Sequence, residues 1–185
     1  MICENYKMTY KLFLLTLLFA FTAFSQEINK PSPFDHFTQF EVSIPLQGNK
    51  NRGEVYPDGS TNNSWFLPDG INANFGYGLH YKKWLGITAN SGIGMKLSEK
   101  LVVAPVFANL RIMPKIADET RLGIDVGYGQ TFALGRGNLS GDFKRMKLNL
   151  EYDELQFFIE VLSYGIHLRD NSQGSISIGF ALVSF

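Results

Sequence analysis

The chain has 185 residues, enough for one domain, and its 17 basic and 17 acidic residues cancel. That balance excludes the basic excess on which general nucleic-acid binding depends. The single cysteine, Cys3, precedes every folded segment read below, so disulfide and thiol chemistry are excluded from the folded part.

The N-terminus reads as an export signal. Lys7 and Lys11 precede the apolar run LFLLTLLFAFTAF, which ends at the small-x-small site Ala23-Phe24-Ser25. A run of 13 residues is too short to span a bilayer, which takes about 20. Residues 1–25 are therefore predicted to be a cleaved signal peptide, with Met8 an alternative start. Residues 26–36 form a short polar lead with two prolines, expected in the periplasm. The later apolar stretches, 101–104 and 179–183, are far shorter than a helical span. An exported chain of this kind is periplasmic, secreted or a β-barrel.

From residue 37 the hydrophobic period is two, and 16 Phe, 8 Tyr and 18 Gly favour strands over helices. Eight strands are predicted, at about 37–46, 71–81, 85–97, 101–113, 121–133, 143–152, 155–168 and 175–185. Each sets apolar residues against polar or glycine positions, as in Ile71-Asn72-Ala73-Asn74-Phe75-Gly76. The seventh changes phase: Leu155, Phe157, Ile159 and Val161 give way to Tyr164, Ile166 and Leu168, which a bulge near Ser163 would explain.

Most of these strands have ten or more residues, whereas soluble strands average about five or six and a tilted membrane strand needs about 9 to 11. The connections alternate. Residues 47–70 are long and hold the turn signals Pro57-Asp58-Gly59 and Pro68-Asp69-Gly70. Residues 82–83 and 153 are tight, with a moderate loop at 134–142 and a polar one at 170–174. The short loop at 98–99 and the long turn at 114–120 run against strict asymmetry. These features predict an all-β, eight-stranded antiparallel up-and-down transmembrane β-barrel over residues 37–185.

The polar faces carry glycines and few, balanced charges rather than a soluble coat, so they are assigned to the lumen. The predicted lumen polar network is Glu41, His80, Lys96, Arg111, Asp125, Lys147, Glu151 and Glu160, with Phe107 and Phe158 filling space. Aromatic girdles are expected from Tyr81, Trp84 and Tyr152 at one boundary, and from Phe75, Phe132, Phe143 and Tyr164 at the other.

The chain ends in SISIGFALVSF. A last strand finishing in Phe resembles the assembly signal of bacterial outer-membrane barrels, carried here by Phe180, Leu182 and Phe185. With the export signal and eight strands, the chain resembles the small outer-membrane β-barrel superfamily of the OmpA and OmpW kind. The ending AFSQE and the Gly-aromatic strands are similar to members from Bacteroidota. One departure is visible: Phe185 and Val183 share a face with Gly179, while Phe180 and Leu182 lie on the other. Either a bulge resets the phase or the terminal residue does not face lipid. The resemblance implies outer-membrane lipid and the barrel-assembly machinery as partners.

Chemical motifs are weak. Lipid A deacylases of this architecture use a His-x-Ser pair, but His36-Phe37-Thr38, His80-Tyr81-Lys82 and His167-Leu168-Arg169 all lack the serine. Gly135-Arg136-Gly137-Asn138 lies between strands with no helix to receive an anion. The Asp and Asn residues of the first loop do not have the spacing of a known calcium loop. No catalytic residue, metal or cofactor is expected. The expected function is a non-enzymatic structural or loop-presenting barrel, possible unknown envelope protein partners included. The alternatives are a narrow pore or hydrophobic-solute channel, an accessory of an envelope secretion or assembly machine, and a lipid A-modifying enzyme.

Overall fold

The computed structural model describes residues 33–135, 139–168 and 171–185. The predicted signal peptide, residues 26–32 of the lead and positions 136–138 of the glycine-arginine loop lie outside them. Nine strands form one antiparallel sheet: β1 (Phe34–Gly48), β2 (Phe66–Pro68), β3 (Gly70–Tyr81), β4 (Leu85–Lys96), β5 (Leu101–Ile112), β6 (Thr120–Leu134), β7 (Ser140–Tyr152), β8 (Leu155–Leu168) and β9 (Asn171–Ser184). Neighbours in sequence pair with each other, and β1 pairs with β9 from Thr38↔Ser184 to Leu46↔Ile176. That last pairing closes eight strands into an up-and-down barrel. β2 is a short addition that pairs only with the upper end of β1.

Closure sorts the two faces. Outward residues are the apolar set: Val106, Val126, Met146, Phe157 and Ile159 are all more than half exposed. Inward residues include Glu41, Asn90, Arg111, Asp125, Lys147 and Glu160, all nearly inaccessible. This is the reverse of a soluble barrel. It is the pattern of a chain whose exterior meets hydrocarbon and whose backbone polar groups are paired within the wall.

The connections segregate by end. Residues 82–84, 113–119 and 153–154 lie at the end that also holds the start of β1 and the end of β9, here the terminal end. Residues 49–65, 97–100, 135 and 139 lie at the other, the loop end. Lys82, Lys83 and Asp153 take positive φ, which lets the chain reverse within a few residues. At the loop end, Asp69 accepts from Ser98 N and Ser98 Oγ, both at 2.7 Å, and clamps the short β4–β5 turn. The long first loop is itself a small hairpin. Val55 bridges Thr61, and Gly59 turns the chain at a φ of 82°. Asp58 accepts from Ser60 Oγ (2.7 Å) and Ser60 N (2.9 Å), which lowers its carboxyl pKa. The Arg52 guanidinium sits 3.2 Å from the centre of the Trp65 ring.

Five sequence expectations are corrected. The first strand begins at Phe34, so the end of the expected lead is already wall. β2 was read as loop. The loops at 134–142 and 170–174 are shorter, because β7 starts at Ser140 and β9 at Asn171. The register between β8 and β9 does shift between Ser163 and His167, yet the faces do not exchange. Tyr164 and Ile166 continue the inward series of Phe158, Glu160 and Leu162, and both are buried. Phe143 and Tyr164 therefore leave the expected girdle, while Phe75 and Phe132 stay outside. Of the two alternatives open for the last strand, the second holds: no bulge resets β9. Phe180 and Leu182 face outward, and Phe185 turns to the inner side at the terminal end.

Candidate functional site: the filled lumen

Eight strands enclose a space that side chains just fill, and here they fill it in three layers. At the loop end Leu101, Val103, Phe107, Ala133, Phe143, Leu162, Tyr164 and Ile166 form an apolar layer. Phe107 and Phe143 pack with ring centres 4.5 Å apart. Gly165 makes this layer possible. Its φ is 60°, and it lies so close to the Asp142 backbone that an added Cβ would collide with it. A residue with a side chain would hold β8 away from β7, whereas glycine lets them meet.

The middle layer is charged. Lys147 Nζ lies 2.5 Å from Glu41 Oε1 and 3.0 Å from Asp125 Oδ2. Arg145 bridges Glu41 (2.6 Å) and Glu160 (2.7 Å). Ser43 Oγ donates to Glu160 Oε1 at 2.7 Å. Arg111 pairs with Glu151 and donates to Gln156 Oε1 at 2.8 Å and Gln39 Oε1 at 3.3 Å. Gln39 in turn donates to Glu41. Arg121, nearer the terminal end, adds a longer contact to Glu151 at 3.6 Å. Aromatic faces line the cations: Lys147 Nζ is 4.7 Å from the Phe158 ring centre and Arg111 is 5.5 Å from that of Phe37.

Four carboxylates thus meet four cations, and the pairing answers the cost of removing them from water. A lone buried charge is worth several kcal/mol of penalty, which only close partners and further hydrogen bonds offset. The connections are continuous. From Arg121 they pass through Glu151, Arg111, Gln39 and Glu41 to Arg145, Glu160 and Ser43. Asn72 then donates to Ser43 Oγ at 3.3 Å, and Tyr164 donates to Asn72 Oδ1 at 3.1 Å. The enclosed space between the charged and apolar layers, lined by residues such as Asn74, Pro105 and Tyr164, is about 10 Å³, the size of one water at most.

The terminal end is covered by rings. Phe185 stacks on Phe37 at 5.7 Å and meets the edge of His80 at 5.0 Å. Lys83 Nζ lies 4.1 Å over Phe185, and Lys83 N donates to His80 Nδ1 at 3.1 Å.

Of the eight residues expected in the lumen network, Glu41, Arg111, Asp125, Lys147, Glu151 and Glu160 come together in the charged layer. His80 sits instead among the rings of the terminal end. Lys96 is at the loop end, where its Nζ donates to the Gly174 carbonyl at 3.3 Å. The central omission is Arg145, which holds two of the four carboxylates. It was visible as a position: it shares the parity of Lys147 and Glu151 on the same strand. Gln39 and Gln156 were legible in the same way. His36 faces outward and contacts Tyr77 OH at 3.0 Å, and the side chain of His167 lies outside the described set. Among the described residues no group of three or more His, Cys, Asp or Glu is placed to hold a metal.

No family model and no curated protein matches the sequence. Solved structures do resemble it. The crystal structure of Neisserial surface protein A aligns with a TM-score of 0.51 at 10% identity, covering 82% of this chain and 97% of that one. The Yersinia pestis outer membrane protein Ail in a phospholipid bilayer nanodisc aligns at 0.45 and 9% identity, over 81% of this chain and 100% of that one. At such identity the first of these speaks to fold alone, and it agrees with the closed eight-stranded antiparallel barrel that the strand pairing defines.

Proposed function

We propose that this chain is an integral outer-membrane protein with a sealed lumen, which works by presenting its loop end to the surroundings. The observation that carries the reading is the filled interior. The apolar layer, the paired charges and the ring cover lie in series along the axis, and a solute would have to displace all three. In the outer membrane the terminal end would face the periplasm, with the long first loop outside. That loop offers the exposed side chains of Tyr56 and Trp65, beside exposed Phe66 at the start of β2, on a hairpin braced by Arg52 and Asn49. Aromatic residues on a rigid support are the side chains from which contact surfaces are commonly built.

The export signal at 1–25, the assembly role of Phe180, Leu182 and Phe185, and the absence of enzymatic activity belong to the same proposal. Planar-bilayer recording on the purified protein tests its centre. No steady conductance is expected, and a steady channel in the unaltered protein would favour the narrow-pore alternative instead. Outer-membrane fractions run on gels with and without boiling test membrane closure, because a closed barrel resists detergent until heated. N-terminal sequencing of the mature chain is expected to begin at Gln26. Unchanged lipid A mass on expression is expected, and a changed mass would restore the enzyme reading.

A further inference from the structure

The ladder that closes the barrel stops short of the loop end. β1 and β9 pair up to Leu46↔Ile176, yet β1 runs on to Gly48 and β9 begins at Asn171. Beyond that point each strand pairs with its other neighbour instead. Gln47 and Gly48 face Leu67 and Phe66 of β2, while Ser175 and Gly174 face Leu162 and Ser163 of β8. The wall therefore parts between the tops of β1 and β9. A cleft of about 630 Å³ lies at the parting, within the size range of pockets that hold small ligands.

The cleft has two kinds of lining. On its membrane side lie Leu46, Val161 and Ile176, outward apolar residues that give way to Gly48, Ser163 and Gly174 at the next outward position. On its mouth side lie Lys96, Glu99 and Ser98, the last held by the Asp69 carboxylate. Lys96 Nζ reaches across to the Gly174 carbonyl. Leu162 belongs both to the cleft and to the apolar layer, so the cleft ends on that layer and the lumen beneath stays filled. Ser175 shares the inward parity of Ser177 and Ala181 and also lines the cleft. Its buried Oγ finds no hydrogen-bond partner among the described residues. Buried polar groups are ordinarily paired, so this hydroxyl marks a place for a partner.

We propose that this cleft binds a lipid of the surrounding leaflet, with one acyl chain along Leu46, Val161 and Ile176 and a hydrogen-bonding head at Ser175, Lys96 and Glu99. The inference rests on the membrane reading above and adds a ligand to it. Position selects the class. The cleft is apolar on its membrane side and polar on its mouth side, at the level where outward residues turn from apolar to small. That is the junction between a lipid's chain and its head. Strand edges left open to hydrocarbon are costly, and a lipid head supplies hydrogen-bonding groups where the β1–β9 ladder is missing. A wholly polar partner would leave the apolar side uncovered, and a wholly apolar one would leave the Ser175 hydroxyl unpaired.

The test is photo-labelling of the unaltered protein in phosphatidylcholine vesicles whose acyl chains carry a diazirine, with the labelled residues read by mass spectrometry. Adducts are expected on Ser175 and Leu162, which have inward parity, as well as on outward Val106 and Ile124. None are expected on Asn90 and Thr131, inward residues buried away from the cleft. Labelling of outward residues alone, or of all inward residues alike, would overturn the proposal. Gly48→Trp sharpens it, because a Cβ at Gly48 meets nothing within 4 Å and the ring can cover the cleft without strain. That variant is expected to lose the Ser175 and Leu162 adducts and keep those on Val106 and Ile124; inward labelling that persists places the entry elsewhere and sinks the idea. Absence of adducts on Val106 and Ile124 in the unaltered protein sinks the membrane reading itself.

Discussion

The middle of the lumen and its loop end are filled by opposite chemistries. The middle holds four carboxylates and four cations in fixed pairs; the loop end holds Leu101, Phe107, Phe143, Tyr164 and Ile166 with scarcely a polar atom among them. Apolar packing is tolerant, because a hydrophobic side chain of similar volume can replace another at modest cost. Paired buried charges are intolerant, because removing one strands its partner. The two layers thus divide the work. The loop-end layer excludes water, and the charged layer fixes which strands face each other across the barrel.

This contrast makes unequal predictions. The largest effect is expected from Arg145→Leu, which leaves Glu41 and Glu160 short of a cation; a loss of about 3–5 kcal/mol is expected. Urea unfolding in lipid vesicles, followed by fluorescence of Trp65 and Trp84, measures it. If the loss is negligible, the charged layer is not what orders the lumen. Next comes Val106→Arg, an outward site more than half exposed on β5. It should cost about 2–4 kcal/mol at mid-bilayer, by the same unfolding assay, while leaving the lumen sealed. Tolerance would reverse the assignment of the two faces.

Gly165→Ala probes the loop-end layer. Its left-handed backbone and the nearby Asp142 backbone make any side chain strained there, by about 1–3 kcal/mol. Protease cleavage restricted to the loop end is the expected sign, with the charged layer intact. The smallest effect belongs to Arg52→Ala, outside both layers. Losing its stacking on Trp65 should cost about 0.5–1 kcal/mol and shift the Trp65 emission, with no change in barrel closure.

Much of this wall could be read directly from the chain. Alternation over β3, β4, β6 and β7 is regular, with glycine, asparagine or a charge at most inward sites, so the eight strands of the wall and their facing followed from pattern. Reading failed where both parities are apolar. Around Leu162, Tyr164 and Ile166 hydrophobicity cannot name the face, and only the packing against Phe143 does. β2 escaped because three residues ending in Pro68 carry no period. Arg145 escaped because it adjoins Lys144, and two consecutive cations look alike until one is seen buried and the other exposed. Phe185 was legible as an exception to its strand's phase. What it does at the terminal end depends on Phe37 and His80, which are distant in sequence.

The salt bridges from Arg145 and Lys147 to Glu41 tie strand seven to strand one, the strand that meets the last one only on closure. A flat or partly curled sheet would expose both cations to hydrocarbon without that carboxylate. The charged layer therefore acts as a proofreading latch on insertion: it makes half-assembled forms costly and the finished ring self-locking.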